Sequence, residues 1–164
     1  MGTGSIVDHR VLVAVDGSPA SLEALRVGAR MAGLFGDRLV GVSVWQSFRH
    51  GILPSDSRHP EQAAEQLVTT SAIEAFRDGV VPPIEIEAVE GDPADNLIAL
   101  SHFASLIVVG SRGHSGLSGL LLGSVSSAVA AHAACPVLVV HAPVSTPAAP
   151  VSELTVDQRI VVTL

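Results

Sequence analysis

The chain has 164 residues, 48% of them hydrophobic and 15% charged, with a formal net charge of −7. These values fit one globular domain with a buried core; they exclude a disordered chain, and the negative charge argues against broad nucleic-acid binding. Because no apolar stretch is long enough to cross a bilayer and the first residues lack a signal-peptide pattern, we expect a soluble, cytoplasmic protein that does not bind membranes.

Short apolar runs alternate with segments of helical periodicity. The first run, residues 10–16, is apolar through its middle, as expected for a strand covered on both faces. Ser18 and Pro19 then form a helix start, a capping hydroxyl followed by proline, and Gly36 ends that helix. The remaining strands are predicted at 39–45, 84–89, 106–109 and 137–140. The remaining helices are predicted at 61–77, 92–102 and 124–134.

This alternation predicts an α/β domain with a parallel sheet, right-handed crossovers and helices on both faces. The third strand alternates apolar and acidic residues, so Glu85 and Glu87 are expected on a wet face near a sheet edge. Residues 46–60 show no periodicity and are predicted to form a loop.

The composition changes after residue 142, which divides the chain into a domain at 1–142 and an extension at 143–164. Residues 143–150 are rich in proline and predict an extended linker. Residues 159–164 predict one more β segment. Since a single strand is not stable alone, we expect it to join a sheet edge in its own subunit or in another.

Two polar, glycine-rich segments follow the first and fourth strands, at 16–18 and 110–124. Ligands of open α/β sheets bind beyond the carboxyl ends of the strands, where the strand order reverses. If the fourth strand lies beside the first, both segments meet there. Glycines allow close approach of a ligand, and the helix that opens at Ser124 presents free N–H groups to an anion. The pattern predicts a phosphate site, and the alternative is a flexible surface loop.

The spacing of Gly110, Gly113, Gly123 and Ser124 is G-x2-G-x9-G-[S/T], which resembles the nucleotide motif of ATP-binding universal stress proteins. Other stretches that resemble this family lie at 13–18, 91–94 and 135–140. The resemblance covers about residues 8–142. It implies a Rossmann-like, five-stranded parallel sheet of order 3-2-1-4-5.

The same resemblance implies where the nucleotide lies. Asp16 would lie near the ribose and base, Val42 would offer its backbone to the adenine ring, and Gly110 would border the ribose. The phosphates would be held, mainly by backbone amides, at Gly113, Gly123, Ser124 and Val125, with a further hydroxyl from Ser126. Mg²⁺ would be bound largely by the phosphates themselves. Whether Arg112 or His114 touches phosphate stays open.

The resemblance also implies a homodimer in which the fifth strand, between Val137 and His141, pairs antiparallel with its twofold mate. Such pairing would cover an apolar edge, which is otherwise an aggregation hazard. One position departs from the family, which often has aspartate before the fourth strand where this chain has Ser105. We expect that position to be structural.

Three functions are open at this point: a nucleotide-binding stress-response regulator in which ATP biases the conformation or partner binding of a dimer, a slow ATP hydrolase or adenylyl-transfer enzyme, and a cyclic AMP-binding module. All nine basic residues are arginine, so the lysine-containing P-loop pattern cannot occur. No general base stands out beside the glycine-rich loop, and at most slow ATP hydrolysis is expected. The seven histidines show no paired metal-ligand spacing, and Cys135 is interpreted as a small buried hydrophobic residue.

Overall fold

The computed structural model describes residues 9–46, 59–113 and 122–142. The strands in these ranges are β1 (Arg10–Ala14), β2 (Arg38–Trp45), β3 (Glu85–Glu90), β4 (Leu106–Gly110) and β5 (Val137–Val140). The helices are α1 (Pro19–Phe35), α2 (Pro60–Ala75), α3 (Pro93–Leu100) and α4 (Ser124–His132), and a 3-10 turn (Ser101–Phe103) follows α3. Most of the predicted 46–60 loop, residues 114–121 with His114, and the 143–164 extension lie outside the described residues.

All five strands of this part of the chain are parallel, as the alternation of elements predicts, and lie in the order β3-β2-β1-β4-β5, as the family resemblance implies. Helices α1 and α2 cover one face of the sheet, and α3 and α4 cover the other. Each layer buries an apolar cluster; Leu25 and Val68 belong to the first, Leu97 and Val129 to the second. The strand order reverses between β1 and β4, which places a ligand-binding edge beyond their carboxyl ends.

Several elements end earlier than predicted. The first strand is predicted to reach Asp16, but β1 ends at Ala14 because the chain turns. Gly17 has a φ of 79°, and the Ser18 N–H donates to Asp16 Oδ1 at 3.0 Å. Helices α2 and α4 each end two residues before the predicted position, and the last predicted turn of α3 is 3-10. These differences leave the topology intact.

Two buried glycines allow helices to pack directly on the sheet. A Cβ on Gly28 of α1 would lie 2.4 Å from a Val13 methyl of β1. A Cβ on Gly41 of β2 would lie 2.5 Å from a Val68 methyl of α2. Because interiors are close-packed, neither position has room for a side chain. The contact at Gly28 fixes α1, whose first turn borders the carboxyl edge of the sheet.

The expected wet face of β3 carries ion pairs. Glu85 pairs with Arg38 and Glu87 with Arg10, each at 2.8 Å. The Arg10 side chain is only 12% exposed, so this charged row is partly buried and crosses from β1 to the edge. Glu85 is exposed as predicted, and the prediction is corrected only for Glu87, which is partly buried.

Ser105 lies at the amino end of β4, away from the ligand-binding edge. Its hydroxyl contacts the Asp37 carboxylate and the Arg10 carbonyl oxygen. It therefore ties three segments together at the far end of the sheet, as expected for a structural position. Cys135 packs partly buried against the second apolar cluster, and burial raises the pKa of its thiol.

Candidate functional site

The start of α4 differs from the starts of α1 and α3, which also lie at the carboxyl edge of the sheet. Ser18 caps α1 by accepting the Ser21 N–H, and Asp92 caps α3 by accepting two N–H groups. The cap of α4 is Gly123, which has no side chain to accept a hydrogen bond. A helix leaves the N–H groups of its first turn without partners inside the helix. At α4 the N–H groups of residues 124–126 have no partner among the described residues, and they lie with the positive end of the helix dipole at the carboxyl edge of the sheet.

Ser111 connects this helix start to the sheet. Its carbonyl oxygen accepts the Gly123 N–H at 2.7 Å and the Ser126 hydroxyl at 3.2 Å. Its own N–H donates to the Val140 carbonyl of β5 at 2.7 Å. The Gly123 amide is therefore used within the protein. The prediction that the Gly123 amide holds phosphate is therefore corrected. Without a side chain, Gly123 leaves space beside the amides of the residues after it, which remain as donors.

Asp16 closes the turn after β1 and also borders the crevice. Its Oδ1 accepts the Ser18 N–H, while its Oδ2 lies 2.5 Å from the position of a Cβ on Gly113. The carboxylate and the loop after β4 are thus in close approach, which only a residue without a side chain permits. The turn role and a ligand role are compatible, because one carboxylate oxygen serves each.

The three motif glycines differ in what surrounds them. A Cβ on Gly110 would lie 2.9 Å from the Ala20 Cβ and 3.1 Å from the Ser21 nitrogen, so this glycine is required by the packing of α1. A Cβ on Gly123 would meet its nearest neighbours at 3.6 Å, an ordinary contact distance. The packing of the described residues therefore does not explain why residue 123 is glycine.

A cavity of about 400 Å³ opens at this edge of the sheet. Its wall includes all eight residues that the sequence predicts: Asp16, Val42, Gly110, Gly113, Gly123, Ser124, Val125 and Ser126. Arg112 also lines it and supplies the only basic side chain of the described wall. The volume is in the range of small-molecule sites. Two segments that are almost a hundred residues apart in the chain thus form one site.

The main chain of Val42 is not open to this cavity. Its carbonyl oxygen accepts the Val15 N–H at 2.8 Å, and the β1–β2 ladder ends at the Ala14–Val42 pair. Strand β2 continues beside β3, where the Trp45 carbonyl accepts the Gly91 N–H. Because main-chain groups alternate in direction along a strand, those of Val44 point past the end of β1. Val44 also lines the cavity. The expectation for the Val42 main chain is corrected, because its carbonyl oxygen is already used within the sheet.

A comparison with protein-family models gives a match over residues 9–141 to the universal stress protein family. The chain belongs to the universal stress protein family. Similar proteins of Mycobacterium tuberculosis are the universal stress proteins Rv2005c, 36% identical over 130 residues and covering 79% of this chain, and Rv1996, 33% identical over 140 residues and covering 81%. The chain spans 44% of the length of each of these relatives.

Solved structures of universal stress proteins share the fold. One, in complex with cAMP, is 29% identical with a TM-score of 0.59, over 84% of this chain and 99% of that one. A second, from Burkholderia pseudomallei, is 26% identical with a TM-score of 0.52, over 85% and 98%. UspA from Lactobacillus plantarum, at 22% identity and a TM-score of 0.58 over 81% and 97%, is similar in fold.

The sequence alone misses part of the wall of this universal stress protein cavity. Ten further residues line it, from the strands β1, β2 and β4, the helices α1, α2 and α3, and the segments that follow β1 and β4. They are Ala14, Val15, Ser21, Ser43, Val44, Leu67, Pro93, Leu97, Val109 and Arg112. For Arg112, the sequence had left open whether its side chain touches phosphate. The sequence did show that α3 starts at Asp92-Pro93, and a helix that follows a parallel strand starts at the carboxyl edge of the sheet. Nothing in the local sequence brings Leu67 there, because its position depends on how α2 crosses β2.

The described ranges contain no group of three histidine, cysteine or acidic residues arranged to hold a metal ion. They also contain no helix with the length and apolar character needed to span a membrane.

Proposed function

We propose that this universal stress protein binds ATP with Mg²⁺ in the cavity beyond β1 and β4, and that nucleotide occupancy regulates its conformation or partner binding in the cytoplasm. The observation that carries the proposal is the glycine-capped start of α4. Its first-turn amides have no partner among the described residues and border the cavity, while the helices α1 and α3 are capped by the side chains of Ser18 and Asp92. When bound, Mg²⁺ would be held by the phosphates and would neutralise part of their charge.

The two ends of the cavity suit the two ends of a nucleotide. The α4 amides and Arg112 provide hydrogen-bond donors and positive charge for phosphates. At the other end, aliphatic side chains of β2, α2 and α3 form walls for a planar base, and the Val44 N–H and C=O offer one donor and one acceptor to its edge. Asp16 lies between them, where a ribose hydroxyl can donate to Oδ2.

Isothermal titration calorimetry of the protein with MgATP and, separately, MgGTP tests the proposal. We expect one ATP site per chain and weaker binding of GTP, since the oxygen on its ring would face the Val44 carbonyl. Absence of heat with ATP, or equal affinity for both nucleotides, would contradict an adenine-nucleotide site.

Cyclic AMP is a second candidate ligand. The observation in its favour is the solved universal stress protein in complex with cAMP, at 29% identity over 84% of this chain. The row of amides at α4 and the Arg112 charge favour a chain of several phosphates instead. Competition decides between them: if cAMP displaces ATP at lower concentration than ATP displaces cAMP, the cyclic nucleotide is the ligand.

Replacing Asp16 by alanine is expected to weaken ATP binding about tenfold or more, because a hydrogen bond to a charged group is lost. The turn also loses the acceptor of the Ser18 N–H, so a small loss of stability is expected. The matched control is Asp16→Asn, which keeps an oxygen for the turn but removes the charge. Calorimetry and thermal unfolding of both variants separate the two roles, and unchanged ATP affinity in Asp16→Ala would leave only the turn role.

We further propose a homodimer formed through β5. In the described sheet β5 pairs only with β4, and its four apolar residues are half-buried. An apolar edge without charges is suited to pairing with a second copy.

Deleting residues 143–164 is expected to weaken this dimer or lower its melting temperature while ATP affinity is kept. Light scattering of both forms over a dilution series measures this. A monomeric full-length protein would contradict the dimer, and an unchanged dimer with unchanged melting temperature would contradict a role for the extension.

A further inference from the structure

Ser18 joins the two segments of the chain that form the cavity. It precedes α1, and its hydroxyl donates to the carbonyl oxygen of Arg112, in the loop after β4, at 3.3 Å. The two residues are 94 positions apart in the chain. Among the described residues, this is the one side-chain hydrogen bond between the segment after β1 and the loop after β4. The contact therefore connects the two sides of the crevice.

The Ser18 hydroxyl uses its oxygen and its hydrogen for different partners. Its oxygen accepts the Ser21 N–H at 3.2 Å, which caps α1, and its hydrogen has the Arg112 carbonyl as its acceptor. The residue is 3% exposed and does not itself line the cavity. A helix cap needs only the oxygen as an acceptor. The hydrogen bond to the loop is therefore a second role, which the helix does not require.

The orientation of the Arg112 carbonyl also determines the orientation of the amide that follows it. In a trans peptide the C=O and the N–H point in opposite directions, and the described chain has no cis peptide. Because the carbonyl is turned to Ser18, the Gly113 N–H points away from the start of α1. This N–H has no acceptor among the described residues, and Gly113 lines the cavity. It is thus available to a ligand.

The same peptide carries the cationic side chain of the cavity wall. A Cβ on Gly123 would lie 3.7 Å from the Arg112 Cα, so Arg112 lies beside the start of α4. The other arginines of the described ranges each pair with a carboxylate, whereas Arg112 has no such partner there. A guanidinium without a carboxylate, beside amides without acceptors, suits a phosphate group.

We propose that Ser18 is a positioning residue for the phosphate chain of the nucleotide. By holding the Arg112 carbonyl, its hydroxyl keeps the Gly113 N–H and the Arg112 side chain in place to bind phosphate. Ser18 acts through the loop and does not touch the ligand. This inference rests on the proposed function, because it requires a nucleotide whose phosphates lie at the start of α4.

Two replacements of Ser18 separate the loop contact from the helix cap. Ser18→Gly removes the hydroxyl at little cost to α1, because glycine is also accepted as an N-cap, and Ser18→Thr keeps the hydroxyl. Calorimetry measures the affinity for MgATP, and competition with ATP measures the affinity for adenosine, which has no phosphate. Ser18→Gly is expected to bind ATP about fivefold to tenfold more weakly and adenosine within about twofold of wild type. Ser18→Thr is expected to stay within about twofold of wild type for both ligands.

The matched control is Ser101→Gly, after α3. Ser101 is also buried, and its hydroxyl also accepts a main-chain N–H and donates to a main-chain carbonyl oxygen. It does not line the cavity and contacts no residue of the loop after β4. Ser101→Gly is expected to lower the melting temperature and to leave the affinities for ATP and adenosine unchanged.

The outcomes separate this inference from the proposed function. The positioning role is overturned, and the nucleotide site stands, if Ser18→Gly binds ATP as tightly as wild type or loses affinity for ATP and adenosine by the same factor. A loss of ATP affinity in Ser18→Thr as large as that in Ser18→Gly would overturn it as well. If wild type binds neither ATP nor adenosine, both proposals are overturned.

Discussion

Gly123→Val is expected to lower ATP affinity more than about 100-fold while the domain stays folded. The valine side chain would occupy the cavity wall in front of the α4 amides, and losing two hydrogen bonds to charged phosphate costs about 3–6 kcal/mol. The fold should tolerate the change, because Gly123 has a φ of −74° and a Cβ there meets its neighbours at 3.6 Å.

Calorimetry measures the affinity, and circular dichroism with thermal unfolding measures the fold. Gly123→Ala is the graded control: its single methyl group fits within the protein, so it should cost less affinity than valine. Wild-type affinity in folded Gly123→Val would remove the start of α4 from the binding site.

The second large expected effect is on the free energy of unfolding. Replacing glycine by alanine should lower it at one position of α1 and raise it at another. Gly28→Ala is expected to destabilise the domain by about 1–3 kcal/mol, because the added Cβ would lie 2.4 Å from a methyl of buried Val13. Gly33→Ala is expected to stabilise it by about 0.5–1 kcal/mol, since alanine favours the helix and a Cβ at Gly33 meets nothing within 4 Å.

Urea unfolding of the two variants beside wild type measures both effects. The same substitution in the same helix removes differences in helix propensity from the comparison. A Gly28→Ala variant as stable as Gly33→Ala would contradict the close packing of α1 on Val13 of β1.

The parallel α/β class follows from the sequence, because continuous apolar runs alternate with capped helical segments, whereas the strand order 3-2-1-4-5 comes from the resemblance to universal stress proteins. Parallel strands joined by right-handed crossovers leave few arrangements. The polar ends of the first and fourth strands, at Asp16 and Gly110, therefore had to be neighbours once β4 lay beside β1. The family motif then assigned phosphate to the start of α4.

The details that the sequence misses depend on where strands end and how closely elements approach. The expectation for the Val42 main chain fails because the sequence does not show that Val15, just after the end of β1 at Ala14, still donates its N–H to the Val42 carbonyl oxygen. Glycines also look alike in a sequence. Only the three-dimensional packing shows that Gly110 makes room for α1 and that Gly123 makes room for nothing within the described protein.

The side walls of the cavity were hidden for the same reason. Leu67 and Leu97 belong to amphipathic helices whose apolar faces also fill the core, and their periodicity does not tell which residue reaches the sheet edge.

Binding of an adenine nucleotide at the start of α4 can be measured by native mass spectrometry of the full-length protein, mixed with equal concentrations of ATP and GTP in the presence of Mg²⁺. We expect a mass increase of one adenine nucleotide per chain in wild type, and its loss in Gly123→Val. A protein that keeps its ligand-free mass, or that carries GTP as often as ATP, would contradict an adenine-nucleotide site at the start of α4.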